Sequence, residues 1–233
     1  MVRIPFRQVW YILLFVAVGL AIAHVLSLHL KYTYGNPRQL GFARLVNLDG
    51  EHNLASWYSS VILLLSALLL TLIWRLSRHR ADPLSRYWLG LALIFFYIAI
   101  DEAATIHETV VERLVIDTLP TFTASGYLLY PWVLAGAAFV GAVGLTYWRF
   151  LARIPPRTRV GFIIAGTLYV SGALGVDMLE ANQESTSGQA TLGYGLLVGL
   201  EEGLEMAGVL TLLYVLLRYI GSSFGDVAMV LRE

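Results

Sequence analysis

Long apolar stretches recur six times along this chain, and they constrain its fold more than any other feature. They cover approximately residues 8–30, 54–76, 87–113, 129–151, 160–182 and 192–220. Because an α-helix needs roughly 20 apolar residues to cross the hydrocarbon of a bilayer, each stretch is long enough to span a membrane. The sequence therefore predicts an all-α fold, a six-helix transmembrane bundle that forms a single polytopic membrane domain over residues 1–233.

The composition supports a membrane protein and excludes several functions. Hydrophobic residues make up 58% of the chain and charged residues only 14%, whereas soluble domains carry about 25% charged residues. The formal net charge is zero, which removes the electrostatic basis for binding nucleic acid. The chain contains no cysteine, so disulfides, thiolate nucleophiles and Cys-ligated metal centres are excluded.

The first apolar stretch has some features of a cleavable signal peptide. Arg3 and Arg7 precede it, and Ala21-Ile22-Ala23 matches a small-residue cleavage site. The apolar run from Val9 to Leu30 is nevertheless long enough to span a bilayer. We therefore expect a retained first transmembrane helix.

The distribution of basic residues predicts the orientation in the membrane. If the N-terminus is cytoplasmic, twelve of the sixteen Lys and Arg residues lie on the cytoplasmic side, and only Lys31, Arg38, Arg44 and Arg113 lie outside. Cytoplasmic loops of membrane proteins carry such an excess of basic residues. We therefore expect a multi-pass membrane protein with both termini in the cytoplasm.

Carboxylate residues inside the apolar stretches are the strongest indication of a functional site. An ionised carboxylate in hydrocarbon costs several kcal/mol, so residues of this type are rare there and usually functional. Eight of them fall in three of the predicted helices, with no Lys or Arg among them: Asp101, Glu102, Glu108, Asp177, Glu180, Glu201, Glu202 and Glu205.

Helical spacing predicts that many of these carboxylates share faces. At 100° per residue, three sets each fall on a narrow stripe of one helix. The sets are Asp101, Thr105, Glu108 and Glu112; Asp177, Glu180 and Glu184; and Tyr194, Glu201 and Glu205. The same geometry turns Glu102 and His107 away from the Asp101 stripe. Since lipid cannot accept such stripes, we expect them to face a common interior that opens to the periplasm.

A divalent metal site is the first hypothesis for this cluster. Carboxylate and imidazole ligands on facing helices form the metal centres of helix bundles, and this ligand set suits Mn, Fe or Zn. We expect Asp101, Glu108, Glu201 and Glu205 to bind the ion, with His107, Asp177 and Glu180 as further ligands or as residues that orient them. In an enzyme, the metal would activate water or dioxygen against a lipid-like substrate.

Two alternatives remain open from the sequence. Intramembrane carboxylates and histidines also form the relays of proton- or cation-coupled transporters. The chain could instead be an accessory subunit of a larger membrane complex, or a homo-oligomer, with protonated carboxylates as a structural network. Glu112, Asp117, Glu180 and Glu184 fit solvated or loop-capping roles, and His24 fits a hydrogen-bonded packing role.

Three segments resemble those of a family of uncharacterised bacterial polytopic inner-membrane proteins. They are Asn47-Leu48-Asp49-Gly50-Glu51-His52-Asn53, Trp57-Tyr58-Ser59-Ser60 and Asp101-Glu102-Ala103-Ala104-Thr105-Ile106-His107-Glu108. The resemblance covers the first half of the chain best. It implies a bacterial inner-membrane setting and brings no known activity with it.

Overall fold

The structure, a computed structural model, describes residues 6–35, 41–50, 52–119 and 122–225. Those residues form helices joined by short connections, without a β-strand. Two of the helices are π-helices, here named π1 and π2. In chain order the elements are α1 (Phe6–Tyr34), α2 (Phe42–Val46), α3 (Leu54–His79), α4 (Ser85–Ala104), π1 (His107–Val111), α5 (Glu112–Thr118), a 3-10 turn (Gly126–Leu128), α6 (Trp132–Arg153), α7 (Pro156–Val170), π2 (Ser171–Val176), α8 (Asp177–Ser187) and α9 (Leu192–Ser223).

Six helical segments in the described part of the chain are long and apolar enough to cross a membrane. Five of them correspond to α1, α3, α4, α6 and α9, and the sixth is the continuous run Pro156–Ser187 formed by α7, π2 and α8. This confirms the prediction of an all-helical, multi-pass membrane protein. The third segment differs from the prediction, because α4 ends at Ala104 and not near residue 113.

Helix α9 lies at the centre of the bundle and packs against α1, α3, α7, π2 and α8. Two apolar cores surround it. The first contains Tyr58, Ile62 and Val198, and the second contains Trp88 and Phe150. We name the end of the bundle that carries π1, α5 and the end of α8 the acidic face, and the opposite end, where α3, α6 and α9 terminate, the basic face.

Hydrogen bonds from side chains to backbone carbonyls join the helices within the apolar cores. The Tyr58 hydroxyl donates to the Leu13 carbonyl at 2.7 Å, and the Ser60 hydroxyl donates to the Ala99 carbonyl at 2.8 Å. The indole of Trp10 donates to the α9 carbonyl of Leu210 at 2.8 Å. Such bonds supply part of the association between helices in lipid, where the hydrophobic effect gives little.

A capping box fixes the start of α3. The Asn53 carboxamide oxygen accepts from the backbone N–H groups of Ala55 and Ser56 at 2.8 and 3.1 Å. Its amide nitrogen donates to the Asn47 carbonyl at 2.7 Å, which folds the preceding segment against the helix. This arrangement gives a structural role to both ends of the segment Asn47–Asn53. Glu51, between them, lies outside the described residues.

Two arginines at the basic face stabilise helix ends. The Arg159 guanidinium donates to the Leu151 and Ala152 carbonyls, both at 2.7 Å, and so satisfies the end of α6. Arg80 donates to the Ser223 carbonyl at the end of α9 at 2.6 Å. The residues Arg3, Arg38 and Arg232, which entered the predicted orientation, lie outside the described residues.

Candidate functional site

A left-handed residue ends the third transmembrane helix inside the acidic segment. Thr105 has φ 50° and ψ 43°, and its N–H donates to the Asp101 carbonyl at 2.6 Å. A β-branched residue rarely adopts this conformation, and residues held in it cluster at functional sites. The predicted continuous helix over residues 87–113 is therefore wrong, and so is the single stripe that joined Asp101 to Glu112.

The break brings His107 onto Asp101, which corrects the prediction that the two residues point apart. The His107 backbone N–H donates to one carboxylate oxygen of Asp101 at 2.8 Å, and Nδ1 of the ring lies 2.8 Å from the other. The ring also packs on Trp132, with the centroids 4.6 Å apart. Asp101 and Trp132 together fix the position of the imidazole at the start of π1.

The surroundings of His107 favour its protonated form. Burial lowers the pKa of the imidazole. The hydrogen bond to Asp101 and the negative charges of Asp101, Glu108 and Glu102 raise the pKa, and their combined effect is larger, so the net pKa shift is upward. This balance follows from opposing effects of desolvation and nearby carboxylates on a cation. Nε2 is the ring nitrogen that Asp101 does not contact, and it lies 3.7 Å from the Glu108 carboxylate.

The remaining carboxylates of this segment differ in exposure. Glu108 is more than half exposed, and Glu112 is half-buried. Burial raises the pKa of the Glu112 carboxyl, and the nearby charge of His107 opposes that rise. Glu102 is half-buried on the last turn of α4.

Two buried carboxylates follow the second π-helix directly. π2 ends at Val176, and α8 begins with Asp177. The side chains of Asp177 and Glu180 are only 7% and 4% exposed. One oxygen of each carboxyl, Oδ2 of Asp177 and Oε1 of Glu180, is buried without a hydrogen-bond partner among the described residues. Orphaned buried polar atoms of this kind call for a ligand or another explanation.

Helix α9 adds Glu201, Glu202 and Glu205, all half-buried. The Glu201 side chain lies within hydrogen-bonding reach of Glu180. The two helices approach closely here, since a Cβ on Gly172 of π2 would lie 2.8 Å from the Glu201 carbonyl. Asp177 and Glu180 of α8 therefore lie near Glu201 of α9. Glu102 lies within electrostatic range of Glu202 and Glu205.

In the structure, the seven predicted site residues lie on three helical segments in the acidic half of the bundle. Asp101, His107 and Glu108 lie at the break after α4, Asp177 and Glu180 lie on α8, and Glu201 and Glu205 lie on α9. Within the residues that the structure describes, no three His, Asp or Glu side chains stand close enough together to hold a metal ion. We name this set of carboxylates with His107 the acidic pocket; two π-helices precede or contain its members, and π-helical turns occur frequently at functional sites.

A separate polar network closes the acidic face, and the sequence reasoning assigned only part of it. His24, 1% exposed, bonds through Nε2 to the Gly195 carbonyl at 2.9 Å and accepts from the Leu48 N–H through Nδ1 at 3.2 Å. This confirms its predicted packing role. Tyr194, which the helical spacing grouped with Glu201, instead donates to Asp49 at 3.3 Å.

Glu184 belongs to the same network and not to the acidic pocket. It accepts hydrogen bonds from the Tyr130 hydroxyl and from the Gln189 amide, the latter at 3.0 Å. Burial and the Glu184 hydrogen bond both raise the pKa of Tyr130. Only the tertiary fold brings Tyr130 and Glu184, which are far apart in the chain, into contact, so no local pattern could have identified the pair.

The fold defines an integral membrane protein with six helical segments long and apolar enough to span a membrane. The chain belongs to the family of a domain of unknown function, DUF8692, whose family model matches residues 12–219. No curated protein and no solved structure matches the chain. The family covers all six membrane segments wholly or in part.

Proposed function

We propose that this membrane protein binds a divalent metal ion in its acidic pocket, with His107, Asp177 and Glu180 as the principal ligands. The observation that carries the proposal is the pair of buried, unpartnered carboxyl oxygens on Asp177 and Glu180. A buried polar oxygen without a partner costs about 1–3 kcal/mol, and more when it is charged. A cation that coordinates both oxygens would remove this cost.

The hydrogen bond to Asp101 prepares His107 for metal binding. A carboxylate that accepts from Nδ1–H orients the ring so that Nε2 is the nitrogen left for coordination, as is typical of metal-binding histidines. Because the surroundings raise the pKa of His107, metal binding would have to displace a proton from Nε2. Nε2 points away from Asp101 and toward Glu108. In this proposal Asp101 positions the ligand and is not itself a ligand. One imidazole with several carboxylates suits Mn, Fe or Zn.

Binding requires the pocket to contract, since the described side chains do not form a ready group of three ligands. Rotation of the Glu180 and Asp177 side chains would bring their oxygens toward the ion. Glu108, Glu201 and Glu205 are candidates to complete the coordination. The accumulated negative charge of the pocket favours this contraction around a cation and opposes it without one.

The test is the metal content of the detergent-purified protein, measured by elemental mass spectrometry after dialysis and after titration with Mn²⁺, Fe²⁺ and Zn²⁺. We expect near-stoichiometric metal in the wild type and its loss in the double variant Asp177→Asn, Glu180→Gln. The control is Glu184→Gln, which removes a carboxylate from the same helix but outside the pocket. Asp101→Asn should weaken binding about 10- to 100-fold, as removal of a residue that orients a ligand does.

Absence of metal from the wild type under all three titrations would contradict the proposal. Protons would then neutralise the pocket, and one observation favours that second candidate. The carboxyl groups of Glu180 and Glu201 lie within hydrogen-bonding reach, and two carboxyls can form a hydrogen bond only if one of them carries a proton. A protonated structural network fits an accessory subunit of a membrane complex.

If metal is bound, the protein becomes a candidate enzyme for a lipid-like substrate. The pocket is surrounded by apolar helices of a membrane protein, and a bound metal would activate water. We further propose that both termini are cytoplasmic, on the strength of the uneven distribution of the Lys and Arg residues. The resemblance of three segments to bacterial inner-membrane proteins supports a bacterial inner membrane as the location.

A further inference from the structure

An open cavity of about 640 Å³ lies at the basic face, against the last turns of α3. Among the described residues, Trp74, Arg75, Arg78 and His79 line it. Arg75, Arg78 and His79 are exposed. The Arg78 guanidinium lies 5.9 Å from the centre of the Trp74 ring, an arrangement that holds the cation at the edge of the cavity.

Arg75 and Arg78 do not stabilise helix ends, unlike two other arginines of the basic face. Arg80 and Arg159 donate hydrogen bonds to the ends of α9 and α6. In the part of the chain that the structure describes, by contrast, no carboxylate pairs with Arg75 or Arg78. Their charges are therefore available to an anion that occupies the cavity.

The surface next to the cavity is shaped for a hydrocarbon chain. Leu64 and Leu68 are 40% and 49% exposed, and they lie within about 40° of Arg75 around the helix axis. α3 crosses the membrane, so this apolar stripe faces acyl chains and ends at the basic cavity. An apolar stripe that leads into a cluster of cations, with a tryptophan at the boundary, has the polarity of a phospholipid.

We propose that this cavity binds the headgroup of an anionic phospholipid, with Arg75 and Arg78 on the phosphate and an acyl chain along Leu64 and Leu68. Zwitterionic phosphatidylcholine fits less well, because its quaternary ammonium group would face the arginines. The site lies at the opposite end of the bundle from the acidic pocket. It therefore stands independently of the metal-binding proposal.

The test is native mass spectrometry of the full-length protein in a neutral detergent, titrated with phosphatidylglycerol or with phosphatidylcholine of the same acyl chains. We expect preferential retention of phosphatidylglycerol. Because each basic side chain near an acidic membrane contributes a factor of about five to binding, the double variant Arg75→Gln, Arg78→Gln should bind it about 25-fold more weakly. The matched control is Arg149→Gln, since Arg149 also lies over a tryptophan, at 5.3 Å, but does not line the cavity.

Three outcomes would overturn the proposal: equal retention of both lipids, an unchanged affinity in the double variant, or an equal loss in Arg149→Gln. A competition with inorganic phosphate separates a lipid site from a general anion site, because full displacement at concentrations comparable to the lipid would show that the acyl chain contributes nothing. Leu68→Gln offers a second test that leaves every charge in place. It should weaken phosphatidylglycerol binding without changing the response to phosphate.

Discussion

At the scale of single residues, the left-handed conformation of Thr105 determines the geometry of the acidic pocket. A non-glycine residue in this region costs about 1–2 kcal/mol. The cost is offset locally, since the turn lets both the backbone N–H and the ring of His107 bond the two oxygens of Asp101. The strained conformation of Thr105 therefore makes the contact between Asp101 and His107 possible.

Glu112 gives a pH-dependent prediction at this scale. Burial raises its pKa above the ordinary value of 4.5 despite the opposing charge of His107. A carboxyl with a raised folded-state pKa binds its proton more tightly in the folded protein, so its contribution to stability is complete below the unfolded pKa and is lost as the pH rises through the folded pKa. We expect Glu112→Gln to be more stable than the wild type at pH 7 and to lose this advantage at pH 4.

Thermal unfolding in detergent, followed by circular dichroism between pH 4 and pH 7, measures this difference. The charged groups in range of Glu112 are His107 and Asp177, so the comparison should be made in metal-free buffer. Asp117→Asn is the control, because Asp117 is exposed and, among the described residues, pairs only with Arg113, at 3.8 Å. A constant difference between Glu112→Gln and the wild type at all pH values would contradict the assignment.

The sequence predicted which residue types enter the pocket but not how they meet. Carboxylates in apolar stretches identified Asp177 and Glu180 as unusual, and the structure buries both. The Asp101–His107 contact could not be derived, because helical spacing assumes an unbroken helix and threonine gives no signal for a left-handed turn. The roles of these residues as metal ligands remain a prediction.

At the scale of elements, the lengths of the apolar stretches predicted the membrane helices well. They gave no indication of the irregularities within those helices. The run Pro156–Ser187 spans the membrane as one segment, yet π2 interrupts its α-helical pattern from Ser171 to Val176. A π-helix adds a residue to the turn and so rotates all that follows. That rotation determines the direction in which the Asp177 side chain points. A helical projection at 100° per residue assumes an unbroken α-helix and therefore does not predict it.

Asn53 gives a prediction for a single element. Asn53→Ala removes the cap of α3 and should destabilise the protein by about 1 kcal/mol. Asn53→Asp keeps an oxygen acceptor for Ala55 and Ser56 but loses the N–H donor to Asn47, so it should fall between the wild type and Asn53→Ala. Thermal unfolding of the three proteins in one detergent tests the order.

An unchanged unfolding temperature in Asn53→Ala would mean that packing against α4 and α9 alone fixes the start of α3. Ser59→Ala is a suitable control on the same helix. Its hydroxyl is buried without a hydrogen-bond partner among the described residues, so the substitution removes no bond.

At the scale of the whole molecule, the two ends of the bundle differ in chemistry. The acidic pocket lies toward one face, and the other face carries the arginines of α3, α6 and α7. The two apolar cores occupy the interior between them. The polar residues that could take part in function are therefore concentrated toward the two ends.

The distribution of basic residues, taken with the six-segment fold, predicts which face meets the cytoplasm. The basic face should be cytoplasmic because loops rich in Lys and Arg are retained on that side during insertion. The natural absence of cysteine allows a direct test with single-cysteine variants. Ala152→Cys reports on the basic face and Ser187→Cys on the acidic face, and both positions are exposed at the ends of their helices.

Intact bacterial cells treated with a membrane-impermeant maleimide should label Ser187→Cys and leave Ala152→Cys unlabelled until the membrane is permeabilised. The wild-type chain serves as the unlabelled control. The reverse pattern would place the acidic pocket on the cytoplasmic side, where metal ions would reach it from the cytosol and not from the periplasm. Labelling of both variants in intact cells would contradict a single fixed orientation. One membrane segment, Pro156–Ser187, lies between the two positions, so a fixed orientation places them on opposite sides of the membrane.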